Sequence, residues 1–130
     1  VRYLLDSNVV IKMIAGNAGI LSRVHACLPR EIGIPAIVAY EIYTGALKSE
    51  HSQRNLTRLM GLQFEIVAFD AQAAMHAAST RAALEKAGML IGPYDMLIAG
   101  QALALGLILV THNTREFRRV ANLTIEDWQS

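Results

Sequence analysis

Apolar runs of strand length alternate along the chain with segments whose apolar positions recur at helical spacing, an alternation that predicts a parallel sheet covered by helices. The fold class expected is therefore α/β. Tyr3-Leu4-Leu5 reads as the first strand, and Asn8 to Ala15 and Ala18 to Leu28 as two helices broken at Gly16-Asn17. Ile32-Gly33-Ile34 is a short second strand. Pro35 is placed to open a helix running to about Leu47, and a further amphipathic helix covers Arg54 to Leu62. Glu65 to Phe69 is strand three. Asp70 caps a long alanine-rich helix that stops near Lys86 and Gly88; Pro93 opens the next, which runs to Gly106. Leu107 to Val110 is an apolar strand ending at Thr111, Thr114 to Arg119 a short basic helix, and Leu123 to Trp128 a last, partly exposed strand or tail. There is no internal repeat.

Composition narrows the picture. At 130 residues the chain falls within the roughly 100 to 200 residues usual for one domain, and no Pro/Gly/Ser-rich or charged stretch divides it, so residues 1–130 are expected to form a single unit. With 53% hydrophobic and 18% charged residues, it can bury a core without staples. Cys27 has no cysteine to pair with and reads as core filler. The longest apolar run, Met96 to Val110, holds Gln101 and two glycines and falls short of the roughly 20 residues a spanning helix needs, which argues against a membrane partner. A strand from the first residues leaves no room for a signal peptide, so a cytoplasmic location is the expectation. Net charge is +1, so attraction to nucleic acid would have to come from local patches or bound cations.

The carboxyl ends of the strands are where an open α/β sheet places its chemistry. Asp6 stands directly after the first strand, followed by Ser7 and Asn8. It could equally be a helix cap, as Asp70 is. Glu41 lies mid-helix among Ile37, Val38, Tyr40, Ile42 and Tyr43, with Lys48 too far along to pair with it. A helix apolar on nearly every side should be buried, and an ionised carboxylate there needs a cation, a proton or a rim position. Asp95 sits in the first turn of an apolar helix, where a carboxylate stabilises by about 0.3 to 1 kcal/mol and needs no function to exist. Asn113, just past the strand 107–110, could be only a turn or cap residue. The set carries the argument: three carboxylates and an amide at strand ends and helix starts can converge at one sheet edge, where they would repel one another without a cation. Oxygen ligands of this kind suit Mg²⁺ or Mn²⁺, and phosphodiester hydrolysis is the reaction such a site serves best.

Other chemistries find no support. His25, His51, His76 and His112 show neither i, i+4 pairing nor zinc-type spacing. There is no Gly-x-Ser-x-Gly elbow, P-loop or Gly-x-Gly-x-x-Gly turn. Asn8 occupies the second position of the Asp-x-Asp pattern of phospho-aspartyl enzymes, and His112 stands where a receiver domain would carry lysine.

Taken in order, Leu4-Leu5-Asp6-Ser7-Asn8, the helical Glu41, Asp95 within Asp-Met-Leu-Ile-Ala, and Val110-Thr111-His112-Asn113-Thr114-Arg115-Glu116-Phe117 resemble a PIN-domain nuclease, and more narrowly a VapC toxin. The resemblance spans essentially the whole chain. It implies a three-layer α/β/α fold with a mainly parallel five-stranded sheet, a Mg²⁺ or Mn²⁺ site, and endonucleolytic cutting of RNA. By similarity Asp6, Glu41 and Asp95 are the metal ligands. Asn113 falls where many relatives carry Asp, and Glu116, one turn on, is a candidate to supply the missing charge; Ser7 replaces a common Thr. Toxins of this kind pair with a VapB antitoxin that crosses the acidic site, bind operator DNA through that complex, and form homodimers. The Gly-Pro-Tyr-Asp and Asn-Thr-Arg-Glu-Phe stretches resemble the enteric subgroup, some of which cut the anticodon loop of initiator tRNA.

Arg115, Arg118 and Arg119 flank Asn113 and are placed to hold RNA phosphates or to meet acidic residues of a partner. The alternative is a solvated helix face, but their place beside Asn113 favours functional contact, a preference that Arg81 and Lys86 do not share. Two rival functions fit the same residues: a PIN-type nuclease acting on DNA or precursor rRNA, and a non-catalytic module whose acidic cluster binds an arginine or a structural cation.

Overall fold

The structure is a computed structural model and describes residues 1–129, apart from the side chains of Ser52, Asn55 and Leu59. Five parallel strands lie in the order β3-β2-β1-β4-β5: β1 (Tyr3–Leu5), β2 (Ile32–Pro35), β3 (Glu65–Val67), β4 (Ile108–Val110) and β5 (Ile125–Glu126). Successive residues of a strand point to opposite faces, and every residue of β1 and β2 is buried, so both faces of the sheet are covered. The cover is helical: α1 (Ser7–Ile14), α2 (Ala18–His25), α3 (Ala36–Lys48), α4 (Ser52–Met60), α5 (Ala71–Ala87), α6 (Pro93–Leu105) and α7 (Thr114–Phe117).

Local chemistry sets the boundaries. Asn17 caps α2 through its side-chain oxygen on the Ile20 amide, and Asp70 caps α5 on the Ala73 amide. Gly88 and Gly106 end α5 and α6 in left-handed conformations, at φ 68° and 65°. Helices α5 and α6 pack at Gly100, where an added Cβ would stand 2.5 Å from the Ala77 Cβ and 2.6 Å from its backbone nitrogen. Only glycine permits that approach. Gln101, fully buried, donates to the carbonyls of Val67 and Ala68 at 2.6 and 3.0 Å and so ties α6 to the end of β3.

Several expected boundaries move. The second helix stops at His25, and Pro29–Glu31 form a separate 3₁₀ turn, because proline cannot continue the helix and the Glu31 carboxylate closes the turn on the Leu28 amide. Pro35 ends β2 and stands at the N-cap position of α3, so that helix opens at Ala36. β3 stops at Val67, short of its apolar run, and helix α7 stops at Phe117 rather than Arg119. Helix α3 is not buried all round. Val38, Ala39, Ile42 and Ala46 face the core, while Tyr40, Tyr43 and Leu47 are exposed.

The terminal stretch is the partly exposed strand expected, anchored by one buried ring. Trp128 is buried, edge-on to Tyr3 with ring centroids 5.0 Å apart, and its indole donates to Glu126. Arg23 of α2 lies over its ring and pairs with Glu126 at 2.8 Å. Cys27 is half-buried against the core, its thiol pKa raised by burial.

Candidate active site

In this strand order the chain turns from one half of the sheet to the other between β1 and β4, and the carboxyl ends of those strands flank the crevice where α/β sheets bind ligands. Asp6 follows β1 and Thr111 follows β4. The Asp6 amide donates to the Val110 carbonyl at 2.9 Å, and the Thr111 hydroxyl donates to Asp6 Oδ2 at 2.8 Å. The same hydroxyl oxygen accepts the Asn113 amide at 3.0 Å. Thr111 therefore joins the two strand ends. Sequence reasoning passed over it as a strand terminus, since threonine after an apolar strand gives no signal of its own.

The choice of cap or ligand for Asp6 resolves into both. It holds the N-cap position of α1, with Oδ1 accepting from the Ser7 amide at 2.8 Å, while Oδ2 serves the crevice. Asp6 is 4% exposed, and burial raises its pKa against the hydrogen bonds from Thr111 and Ser7. The Ser7 side chain also favours the ionised form of Glu41. Glu41 sits half-buried at the rim, its pKa raised by burial and by the Asp6 charge.

Asp95 stands in the first turn of α6, near the positive end of that helix. Its pKa is nevertheless pushed up to about 7, by burial first and then by the charges of Asp6, Glu116 and Glu41 and a hydrogen bond shared with Glu116. Asn113 occupies the N-cap position of α7 but makes no cap with its side chain. Its amide nitrogen instead donates to Glu116 at 2.9 Å and to Asp95 at 3.4 Å. Asp6, Glu41, Asp95, Asn113 and Glu116 are thus brought into one electrostatic cluster.

None of the ion pairs among the described residues involves these carboxylates. Nor, among the described residues, are three such groups already gathered into a cage for an ion. What they form is an open, one-sided set of hard oxygens whose shared negative charge is uncompensated, the donor chemistry that suits a hydrated divalent cation.

The arginines divide. Arg115 and Arg118 are exposed beside the cluster, whereas Arg119 is half-buried and donates to the Leu90 carbonyl at 2.9 Å, tying the end of α7 to the α5–α6 connection. His25, His51, His76 and His112 are all exposed, and His112 pairs with Asp127 at 2.9 Å. Arg81 pairs with Glu85 along α5, and Lys86 is exposed, as expected of a solvated face. Next to Glu41 a cavity of about 250 Å³ opens between α1, α3 and α4, lined by Ile11, Ile14, Ile42, Ala46 and Arg58.

A family model described as "PIN domain" matches residues 3–123. The chain belongs to the PIN-domain family. Within that family the similarity runs to VapC proteins. A Shigella flexneri protein named tRNA(fMet)-specific endonuclease VapC is 36% identical over 129 residues, 98% of each chain. Ribonuclease VapC2 of Haemophilus influenzae is 38% identical over 130 residues, again 98% of each. The crystal structure of DNA-bound VapBC from Salmonella typhimurium contains a chain that this PIN domain matches with a TM-score of 0.93 at 38% identity, covering 98% of both. The sheet and its flanking helices are accordingly those of a VapC-type PIN domain, with every strand parallel. No helix of the described residues is long and apolar enough to cross a membrane.

Proposed function

We propose that the chain is an endoribonuclease, dependent on Mg²⁺ or Mn²⁺, that acts as the toxin of a toxin–antitoxin pair. The observation that carries this reading is the cluster of carboxylates at the sheet crossover, mutually repelling and without a cationic partner in the described structure, in a chain similar throughout its length to proteins named as VapC ribonucleases. Asp6, Glu41 and Asp95 would hold the ion, with Glu116 adding charge and Asn113 orienting Asp95 and Glu116 through its amide. When bound, the ion supplies polarisation of the phosphoryl group and a more acidic attacking water. The chain's own contribution is placement. Thr111 and Ser7 fix the Asp6 carboxylate, and burial of one side of the crevice limits bulk water. Arg115 and Arg118 stand where they can meet backbone phosphates.

The similarity to a tRNA(fMet)-specific endonuclease makes initiator tRNA, cut in its anticodon loop, the substrate of choice. A VapB-like antitoxin is the partner proposed, laying an apolar segment into the cavity beside Glu41 and presenting a basic group to the acidic cluster. Operator DNA would be reached only through that complex, and a homodimer is its expected building block. The test is incubation of the inhibitor-free protein with total tRNA and Mg²⁺ or Mn²⁺, beside EDTA and Asp6→Ala controls. Discrete fragments abolished by both controls are expected. Cleavage of DNA alone, or metal binding without cleavage of any RNA, would overturn the reading.

A further inference from the structure

Tyr40 and Tyr94 each precede a site carboxylate by one residue, on different helices: Tyr40-Glu41 on α3 and Tyr94-Asp95 on α6. Their rings meet edge to face, with centroids 5.8 Å apart and planes at 79°. Both stay in solvent, at 55% and 43% exposed. The other ring pair among the described residues, Tyr3 and Trp128, has a similar edge-on geometry but is buried in the core. Burial is the ordinary fate of such a pair, because aromatic rings contribute their free energy by leaving water. The pair stands beside the two carboxylates, as a neutral aromatic wall at the rim of an acidic hollow.

We propose that Tyr40 and Tyr94 form a stacking platform for an unpaired nucleobase of the RNA whose phosphodiester enters the carboxylate cluster. This rests on the ribonuclease reading above and adds to it a reason for substrate choice. The cluster itself repels phosphate, and a net charge of +1 gives the chain little long-range attraction for RNA. Stacking on an aromatic ring does not depend on charge. It tolerates any base, and it is available only to bases splayed out of a helix, as in loops and bulges. A platform fused to the site would therefore admit single-stranded loops and refuse duplex.

The experiment compares wild type with Tyr40→Ala, Tyr94→Ala and the corresponding Phe variants, each checked for fold by circular dichroism. Steady-state cleavage is measured on an RNA hairpin cut in its loop and on the same strand annealed to its complement. Loss of the ring is expected to raise KM for the hairpin about ten-fold, with little change in kcat, and Phe to restore it. Duplex should be a poor substrate throughout. In a second arm, a hairpin carrying 2-aminopurine in the loop is titrated with Asp95→Asn protein, whose binding should quench the probe unless Tyr40 or Tyr94 is also Ala. Unchanged KM and unchanged quenching in the Ala variants would remove the platform while leaving the nuclease intact. If wild type cleaves no RNA, the nuclease reading fails and the quenching arm decides the platform alone. Ala variants that lose self-association in sedimentation, with quenching unaltered, would assign the rings to a contact between copies and overturn the proposal.

Discussion

Replacing Asp95 by Asn should make the metal-free protein more stable at pH 8 while abolishing RNA cleavage. The Asp95 carboxyl is displaced from an ordinary 3.8 to about 7, so between those values the folded state holds a proton that the unfolded chain has lost. Stability then falls as pH rises through this window and levels off above it, because the slope follows the protons bound by the unfolded state minus those bound by the folded one. At 1.36 kcal/mol per pH unit, the full displacement corresponds to about 4 kcal/mol. Asp95 is only half-buried, and solvent and counterions screen its exposed side, which reduces the expected effect to about 1–2 kcal/mol. The neutral amide removes that cost and also relieves Asp6 and Glu41. Thermal unfolding in EDTA should place Asp95→Asn about 3–8 °C above wild type at pH 8, with the two converging near pH 4.5. Saturating Mg²⁺ should reverse the order at pH 8, since a ligand at a hundred times its Kd adds about 2.7 kcal/mol to the protein that binds it. A variant less stable than wild type at pH 8 in EDTA, or one whose stability follows pH in parallel with wild type, would refute the picture of a repelling cluster.

Thr111→Val keeps the shape but removes the donor to Asp6 and the acceptor for the Asn113 amide; it should cost about 1–3 kcal/mol by urea unfolding and move the acid limb of the cleavage rate to higher pH, as the Asp6 pKa rises further. Asn113→Asp exchanges a donor to Glu116 and Asp95 for another negative charge, so it should lower Tm in EDTA at pH 8 and tighten Mn²⁺ binding measured by calorimetry. Gly100→Ala improves helix propensity yet drives a methyl group into the Ala77 backbone; a net loss of about 1–3 kcal/mol is expected, and an unchanged Tm would show that α5 and α6 can separate freely.

The strands and helices were legible because each carries its own punctuation. Asp70, Gly88, Pro93 and Gly106 mark starts and stops that depend on local backbone chemistry alone. Tertiary contacts carry no such mark: nothing local shows that Trp128, at the end of the partly exposed last strand, is buried, because its partners Tyr3 and Arg23 lie far off in sequence. Helix α3 looked buried on every side because tyrosine and leucine score as core, yet Tyr40, Tyr43 and Leu47 face water. The site shows the same division. Asp6, Asp95 and Asn113 each hold a position that a capping residue would hold, so their sequence context could not separate capping from chemistry. Only the neighbours do: Asn113 leaves its helix uncapped and turns to Glu116 and Asp95. Thr111 and the Arg119 tie to Leu90 had no sequence signal, since both act through residues remote in the chain.

The cluster is graded from inside to outside, and the grading follows the elements that carry it. Asp6 and Thr111 sit on the ends of adjacent central strands, buried and fixed to each other by a 2.8 Å hydrogen bond. Glu41, Asp95 and Glu116 come from three separate helices and are only half-buried, so their carboxylates are nearer to solvent than that of Asp6. On the proposed reading Asp6 would be the fixed ligand, and a hydrated cation and a phosphate would enter from the more exposed side. The mutual repulsion of these carboxylates is carried by the rest of the fold. An amide at position 113 donates to two of these carboxylates, where one more carboxylate would add to their repulsion.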